Sequence, residues 1–270
     1  MLAHQVLTAD GASPSRSMLF LHGLLGRGVN WRSVARRFVQ ARPEWAAVLV
    51  DLRLHGDSRD VAGPHTVEAA AEDLESLGNA LEVRPHGVVG HSFGGKVALA
   101  WAARRAGTLE EVWLVDSSPS ARPEGTGSED VLRVLDTLAS LPFPFESRED
   151  FVAALEDRGF SKGVAQWLAT NLDRGPEGAY HLGLDLDAIH EVFRDYLHLD
   201  LWDQVEFPPG HHAVHVVVGG RSNVFSPEDR ERLASAAQSH ERVHQHVIEG
   251  AGHWIHVEVP DALLNLLTAP

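Results

Sequence analysis

Ser92 stands in Val88-Val89-Gly90-His91-Ser92-Phe93-Gly94-Gly95-Lys96, a G-x-S-x-G pattern, and is the candidate nucleophile of this chain. A serine hydroxyl reacts only when a neighbouring base takes its proton, and that base needs a third group to fix its tautomer. Gly250-Ala251-Gly252-His253 can supply the base, because a Gly-Ala-Gly loop can carry His253 over a distant serine, whereas His256 falls in the closing helix. The competing chemistry is phosphate binding: Gly90, Gly95 and Lys96 fit three fixed positions of G-x-x-x-x-G-K-[ST], but the fourth falls on Val97, which cannot ligate magnesium.

These residues need particular elements to hold them. His86 to Val89 is a short run of strand type, and Lys96 to Arg105 is an Ala- and Leu-rich segment ending in basic residues, as a helix C-terminus favours. Gly90 and Gly94 then mark a strand-to-helix turn too crowded for side chains, from which His91 must point away. Met18 to Leu21 reads as a buried strand delivering His22-Gly23-Leu24-Leu25-Gly26, whose backbone N–H groups can face a small cavity. Apolar residues at 31, 34, 35 and 38 predict a helix, and 45 to 50 a strand covered on both faces. Asp51, Arg53 and His55 follow, expected to tie their loop together, then a helix capped by Thr66.

A strand at 112 to 115 completes an alternation that implies a parallel sheet with right-handed crossovers. From 120 to 209 no convincing strand is visible; helical patterns run over 130–139, 148–157, 164–172 and 186–197. The expectation is a helical cap at 120–209, inserted into a core made of 1–119 and 210–270 and lying over the strand ends. The alternation resumes with a strand at 213–218, a helix started by Ser226-Pro227-Glu228-Asp229, a strand at 243–248 and a closing helix near 261–267.

Composition bounds the function. With 23 basic and 38 acidic residues the formal charge is −15, which opposes binding to nucleic acid and anionic membranes. There are no cysteines, no signal-peptide pattern and no apolar run of membrane-spanning length, so a soluble cytoplasmic protein, monomer or homodimer, is expected. The 17 histidines include His211, His212 and His215, and His240, His244 and His246, but no H-E-x-x-H; solvated surface histidine is the expectation, with no metal.

H-G-L-L-G at 22–26, D-L-R-L-H-G-D-S at 51–58, G-H-S-F-G-G-K at 90–96, L-V-D-S-S-P at 114–119, L-D-A-I at 186–189 and G-A-G-H-W-I-H at 250–256 together resemble the α/β-hydrolase superfamily over essentially the whole chain. Their wording is most similar to its small esterase and acyl-thioester hydrolase branch, the abhydrolase type. The resemblance implies the α/β-hydrolase fold, a mostly parallel doubly wound sheet with an inserted helical cap. It implies Ser92 as nucleophile at the elbow, His253 as general base, and oxyanion-binding amides from Leu24 and Phe93, with His22 supporting that loop.

Most members carry the acid after the strand read at 213–218, but Gly219-Gly220-Arg221-Ser222-Asn223 has no carboxylate. Asp116 is the substitute, with Ser222 as an extra hydrogen-bonding partner, and Glu228 is the alternative. Leu25, Phe143, Phe145, Trp167 and Leu182 are candidate pocket residues. The implied activity is hydrolysis of small-molecule esters or thioesters through an acyl-enzyme, with no cofactor. The same triad would also serve carbon–carbon bond hydrolysis or cofactor-free perhydrolase or haloperoxidase chemistry, and a non-catalytic ligand-binding receptor is the remaining reading.

Overall fold

Alternate residues of the short apolar runs turn to opposite sides, which decides how the sheet is covered. The computed structural model describes every residue except Ala106 and Pro270. Its strands β1 (His4–Leu7), β2 (Arg16–Leu21), β3 (Trp45–Val50), β4 (Pro85–His91), β5 (Glu111–Val115), and later β8 (Ala213–Gly219) and β9 (Val243–Ile248), form a seven-stranded sheet in the order β1-β3-β2-β4-β5-β8-β9. Every neighbouring pair is parallel except β1 with β3. On β2, Met18 and Phe20 pack with α1 (Arg32–Ala41), while Leu19 and Leu21 pack with α2 (Val67–Ala80) and α3 (Phe93–Arg104). Both faces are thus buried, as the continuous apolar strands require.

Between β5 and β8 the chain leaves the sheet. It forms α4 (Glu129–Ser140), α5 (Arg148–Glu156), α6 (Lys162–Leu168), α7 (Leu186–His198) and α8 (Trp202–Glu206). The sequence shows no convincing strand here, but the structure has two short ones. β6 (Leu172–Arg174) and β7 (Tyr180–Leu182) pair antiparallel, with Leu172 opposite Leu182. Each is only three residues long, too short to show a period of two, and Gly178 turns the chain with φ 89°. The chain then returns through α9 (Pro227–Ser239), capped by the Ser226 side chain, to β9, α10 (Ile255–Glu258) and α11 (Pro260–Leu267). Among the described residues no helix is long and apolar enough to cross a membrane.

The histidine expectation is also corrected in part. His212 is fully buried, and neither ring nitrogen has a hydrogen-bond partner among the described residues. His215 stacks on Trp113 at 3.9 Å and on His244 at 4.5 Å, with its Nδ1 3.1 Å from Nε2 of His246. Register explains the group: β8 and β9 pair His215 with His244, so the strand ladder builds a ring stack beside Trp113. Burial pushes His215 down to about 3 and His212 down to about 4.

Candidate active site

The site residues leave the sheet at the carboxyl ends of its strands: His22 after β2, Ser92 after β4, Asp116 after β5, Ser222 after β8 and His253 after β9. This is the end of an open parallel sheet where ligands bind.

Ser92 joins β4 to α3 with φ 50° and ψ −116°, a strained backbone for a residue with a side chain. Its amide donates to Val115 O (3.1 Å), and its carbonyl accepts from Ser117 Oγ (2.6 Å) and Gly95 N (2.9 Å), so the turn is pinned to the end of β5. The flanking glycines are required. A Cβ on Gly90 would overlap the Gly94 carbonyl, and one on Gly94 would stand 2.6 Å from His22 O.

Asp116 is fully buried and sits at φ 47°, in the left-handed region that aspartate tolerates better than most residues. Its Oδ1 accepts from Gly219 N (3.0 Å); its Oδ2 accepts from Ser222 Oγ (2.5 Å) and His253 Nδ1 (2.7 Å). The proton of the His253 ring is therefore on Nδ1, which leaves Nε2 with a free lone pair. Glu228 lies elsewhere: it is an exposed first-turn residue of α9, its carboxyl held below the usual range by its own backbone N–H and by Ser226.

Behind His253, His91 is buried, and its Nε2–H donates to the His253 carbonyl (2.9 Å) with the two rings 4.6 Å apart. Burial first, then the neighbouring His253 and His256, holds His91 well below the usual imidazole range, so it is neutral. Nothing in the sequence pattern signalled this contact beyond the requirement that His91 point away from the turn.

The loop after β2 is fixed by two neutral imidazoles. His22 donates from Nδ1 to Gly23 O (2.8 Å) and accepts at Nε2 from Leu52 N (3.0 Å). His55 donates from Nδ1 to Arg53 O (2.8 Å) and accepts at Nε2 from Leu25 N (3.0 Å). Burial lowers them to about 4 and about 3. With the Leu25 amide occupied, the amides of Leu24 and Phe93 have no acceptor among the described residues.

A cavity of about 240 Å³ opens beside these groups, lined by Ser92, His253, Leu24, Leu25 and Phe93 from the sheet side and by Val131, Val134, Phe160, Trp167, Phe193 and Tyr196 from the inserted segment. Leu25 and Trp167 line the cavity. Phe143, Phe145 and Leu182 do not, and this is a correction. Phe143 and Phe145 pack edge to face at 5.3 Å and both contact Phe151, while Phe145 also bridges to Tyr180 of the hairpin. Leu182 is taken up in β7. They build the interior of the inserted segment.

Tyr196 and Arg122, which the sequence pattern does not single out, also line the cavity, and Lys96 lies behind them. The Tyr196 hydroxyl accepts from Arg122 Nη2 (2.9 Å), and its ring lies 6.1 Å from Phe93. Its hydroxyl proton is held above the usual phenol range by burial, partly offset by Arg122 and Ser92. Lys96 is completely buried and donates to the carbonyls of Ser120 (2.8 Å), Tyr196 (2.7 Å) and Leu199 (2.7 Å), fastening the inserted segment to α3. Burial, then Arg122, lowers it to about 7.

The Alpha/beta hydrolase family profile matches residues 18–266, most of the chain. The chain belongs to the α/β-hydrolase family. This α/β-hydrolase is 29% identical over 284 residues to the sn-1-specific diacylglycerol lipase ABHD11 of Mus musculus, covering 99% of the chain and 84% of that protein. It is 25% identical over 261 residues to Esterase YbfF of Escherichia coli (strain K12), covering 96% and 94%. Its fold is similar to that of a solved marine microorganism esterase, with TM-score 0.81 at 22% identity, covering 98% of this chain and 97% of the other. It is a hydrolase.

Proposed function

We propose that this α/β-hydrolase is a serine esterase acting on small carboxylic esters or thioesters with an apolar acyl group. The observation that carries the reading is the 2.7 Å bond from His253 Nδ1 to the buried Asp116 carboxylate beside Ser92 on its strained turn. The names of the relatives, a diacylglycerol lipase and an esterase, support ester hydrolysis.

Ser92 Oγ attacks the acyl carbon while its proton passes to His253 Nε2, and the Asp116 charge balances the imidazolium. The developing oxyanion takes hydrogen bonds from the Leu24 and Phe93 amides. The carbon–oxygen bond to the alcohol breaks as His253 returns the proton to the departing oxygen, leaving an acyl-Ser92 ester. Water, deprotonated by His253, then releases the acid. Segment 120–209 acts as the cap, and its apolar side chains at the cavity receive the acyl group.

Carbon–carbon hydrolysis or perhydrolysis would use the same groups, so the test is a panel of p-nitrophenyl esters and acyl-CoA thioesters of rising chain length. It is run on wild type and on Ser92→Ala. Turnover in the wild type that Ser92→Ala abolishes supports the reading; turnover of no member, or equal turnover by the variant, ends it.

A further inference from the structure

The Leu24 amide belongs to the Gly23–Leu24 peptide, so its direction is set by whatever holds that peptide's carbonyl. Gly23 O accepts from Gly26 N (3.0 Å) and from His22 Nδ1 (2.8 Å), which closes residues 23–26 into a turn. Leu25, the third residue of the turn, sits at φ 62°, in the left-handed region where a turn usually places glycine. A leucine stays there only when its surroundings hold it. Here its amide donates to His55 Nε2 (3.0 Å), and its carbonyl accepts from Asn171 Nδ2 (2.9 Å).

Asn171 comes from the inserted segment, 146 residues further along the chain, where it precedes β6. It is buried, at 7% exposure. Its backbone is fixed in turn: its carbonyl accepts from Gly183 N (2.8 Å), and Arg148 donates to the neighbouring carbonyls of Ala169 and Leu172. Leu25 O can only accept, so the NH₂ of the Asn171 amide must be the group that faces it. Among the described residues, this is the one hydrogen bond between the inserted segment and residues 22–26.

Resting on the esterase reading, we propose that Asn171 is a positioning residue for the oxyanion hole. Two peptide groups connect it to the reacting oxygen. Asn171 donates to Leu25 O; the N–H of that same peptide, on Gly26, donates to Gly23 O; and the N–H of that second peptide is the Leu24 amide. A peptide whose carbonyl accepts a hydrogen bond is polarised and donates more strongly through its N–H, so the bonds of this chain reinforce one another. The same bonds stop the turn from rotating, which keeps the Leu24 amide in one direction before the substrate arrives. Asn171 therefore acts on the transition state, where the charge sits on the oxygen, more than on the bound ester. The inserted segment that receives the acyl group also completes the support of the oxyanion donor.

The test compares purified wild type with Asn171→Leu, which is similar in size and has no donor, and Asn171→Asp, which sets an acceptor against the Leu25 carbonyl. Asn171→Ser, whose hydroxyl is too short to reach Leu25, serves if a larger replacement does not fold. Each is assayed on p-nitrophenyl butyrate, with circular dichroism as the control for fold. Each is also inhibited with an alkyl trifluoromethyl ketone, a probe of the tetrahedral state. Ser92 Oγ bonds to its carbonyl carbon, the serine proton passes to His253, and the carbonyl oxygen keeps the electron pair as an oxyanion.

Asn171→Leu and Asn171→Ser should each lower kcat by about tenfold, less than the roughly 10² to 10³ that loss of a whole oxyanion donor costs, and Asn171→Asp should lose more. KM should stay within about twofold, since the bound ester carries little charge on its oxygen. The Ki of the ketone should rise by the same factor as kcat/KM falls. A side chain that merely filled space would leave kcat and Ki of Asn171→Leu at their wild-type values. Folded Asn171→Leu and Asn171→Ser that keep kcat within about twofold, or that lose it with no change in Ki, overturn the proposal. A wild type that turns over no ester and forms no ketone adduct removes the esterase reading itself, a result distinct from unaffected variants of an active enzyme.

Discussion

Asp116→Asn isolates the charge on which the proposed triad depends. The replacement amide has one oxygen and one NH₂, and three donors point at the carboxylate it replaces: Gly219 N at Oδ1, and Ser222 Oγ and His253 Nδ1 at Oδ2. An NH₂ at the Oδ1 position faces a backbone N–H that cannot reverse. An NH₂ at the Oδ2 position faces a hydroxyl that can reverse and an imidazole that can change tautomer, so the amide settles there. His253 then carries its proton on Nε2 and cannot accept one from Ser92. The expected loss in kcat is about 10⁴, or about 5 kcal/mol of barrier at about 1.4 kcal/mol per tenfold. Folding should survive, because asparagine is also at home near the φ of 47° found here. The assay is p-nitrophenyl butyrate turnover with circular dichroism as the control for fold. Ser222→Ala beside it should cost less than about tenfold, since a neutral hydroxyl orients but does not balance charge. A loss below about tenfold in Asp116→Asn, or a large loss in Glu228→Gln, refutes the reasoning.

Gly90→Ala should yield no active, folded protein, because its Cβ would overlap the Gly94 carbonyl at the crossing of β4 and α3; recovery of soluble, wild-type activity would contradict that. His22, His55 and His256 have pKa values lowered to about 4, 3 and 3 in the fold against 6.5 when exposed, so on unfolding below about pH 6.5 each ring takes up a proton from solvent. The stability that these neutral rings contribute is whole above pH 6.5 and lost towards pH 4, by roughly 2 kcal/mol each between pH 6.5 and 5, and the urea midpoint should drop accordingly. A midpoint equal at pH 7 and pH 5 would show that these rings are not buried neutral. Tyr196→Phe leaves Arg122 Nη2 without its acceptor and should lower stability by about 1.5 to 3 kcal/mol in urea titration, whereas an unchanged midpoint would mean the bond is not formed. Lys96→Met removes three bonds between α3 and the inserted segment and should lower Tm by several degrees; an unchanged Tm would mean the segment is held by its apolar contacts alone.

The central sheet was legible because its strands are covered on both faces and so read as apolar runs; Trp45 to Val50, buried throughout, matches the structure residue for residue. Val243 to Ile248 matches as well, although His244, Gln245 and His246 interrupt it and it is only partly buried. The positions of Ser92, Asp116 and His253 were legible for the same reason, since each follows the end of a strand. Strand β1, four residues and largely exposed, carried no such signal. Which apolar residues of 120–209 meet the cavity could not be read from spacing. Phe143 and Trp167 look alike in sequence, yet one packs on Phe151 and the other on Trp254. Lys96 drew notice only as part of a phosphate-loop pattern, because its three partners are backbone carbonyls, two of them about a hundred residues away.

The most direct test of the account is to catch the covalent intermediate. Wild type mixed with p-nitrophenyl butyrate is quenched within milliseconds and analysed by peptide mass spectrometry. The account predicts one butyryl group per chain, on the peptide containing Ser92, formed together with a burst of p-nitrophenol and absent from Ser92→Ala and His253→Ala. Turnover without any adduct on Ser92, or sustained turnover by Ser92→Ala, would contradict it.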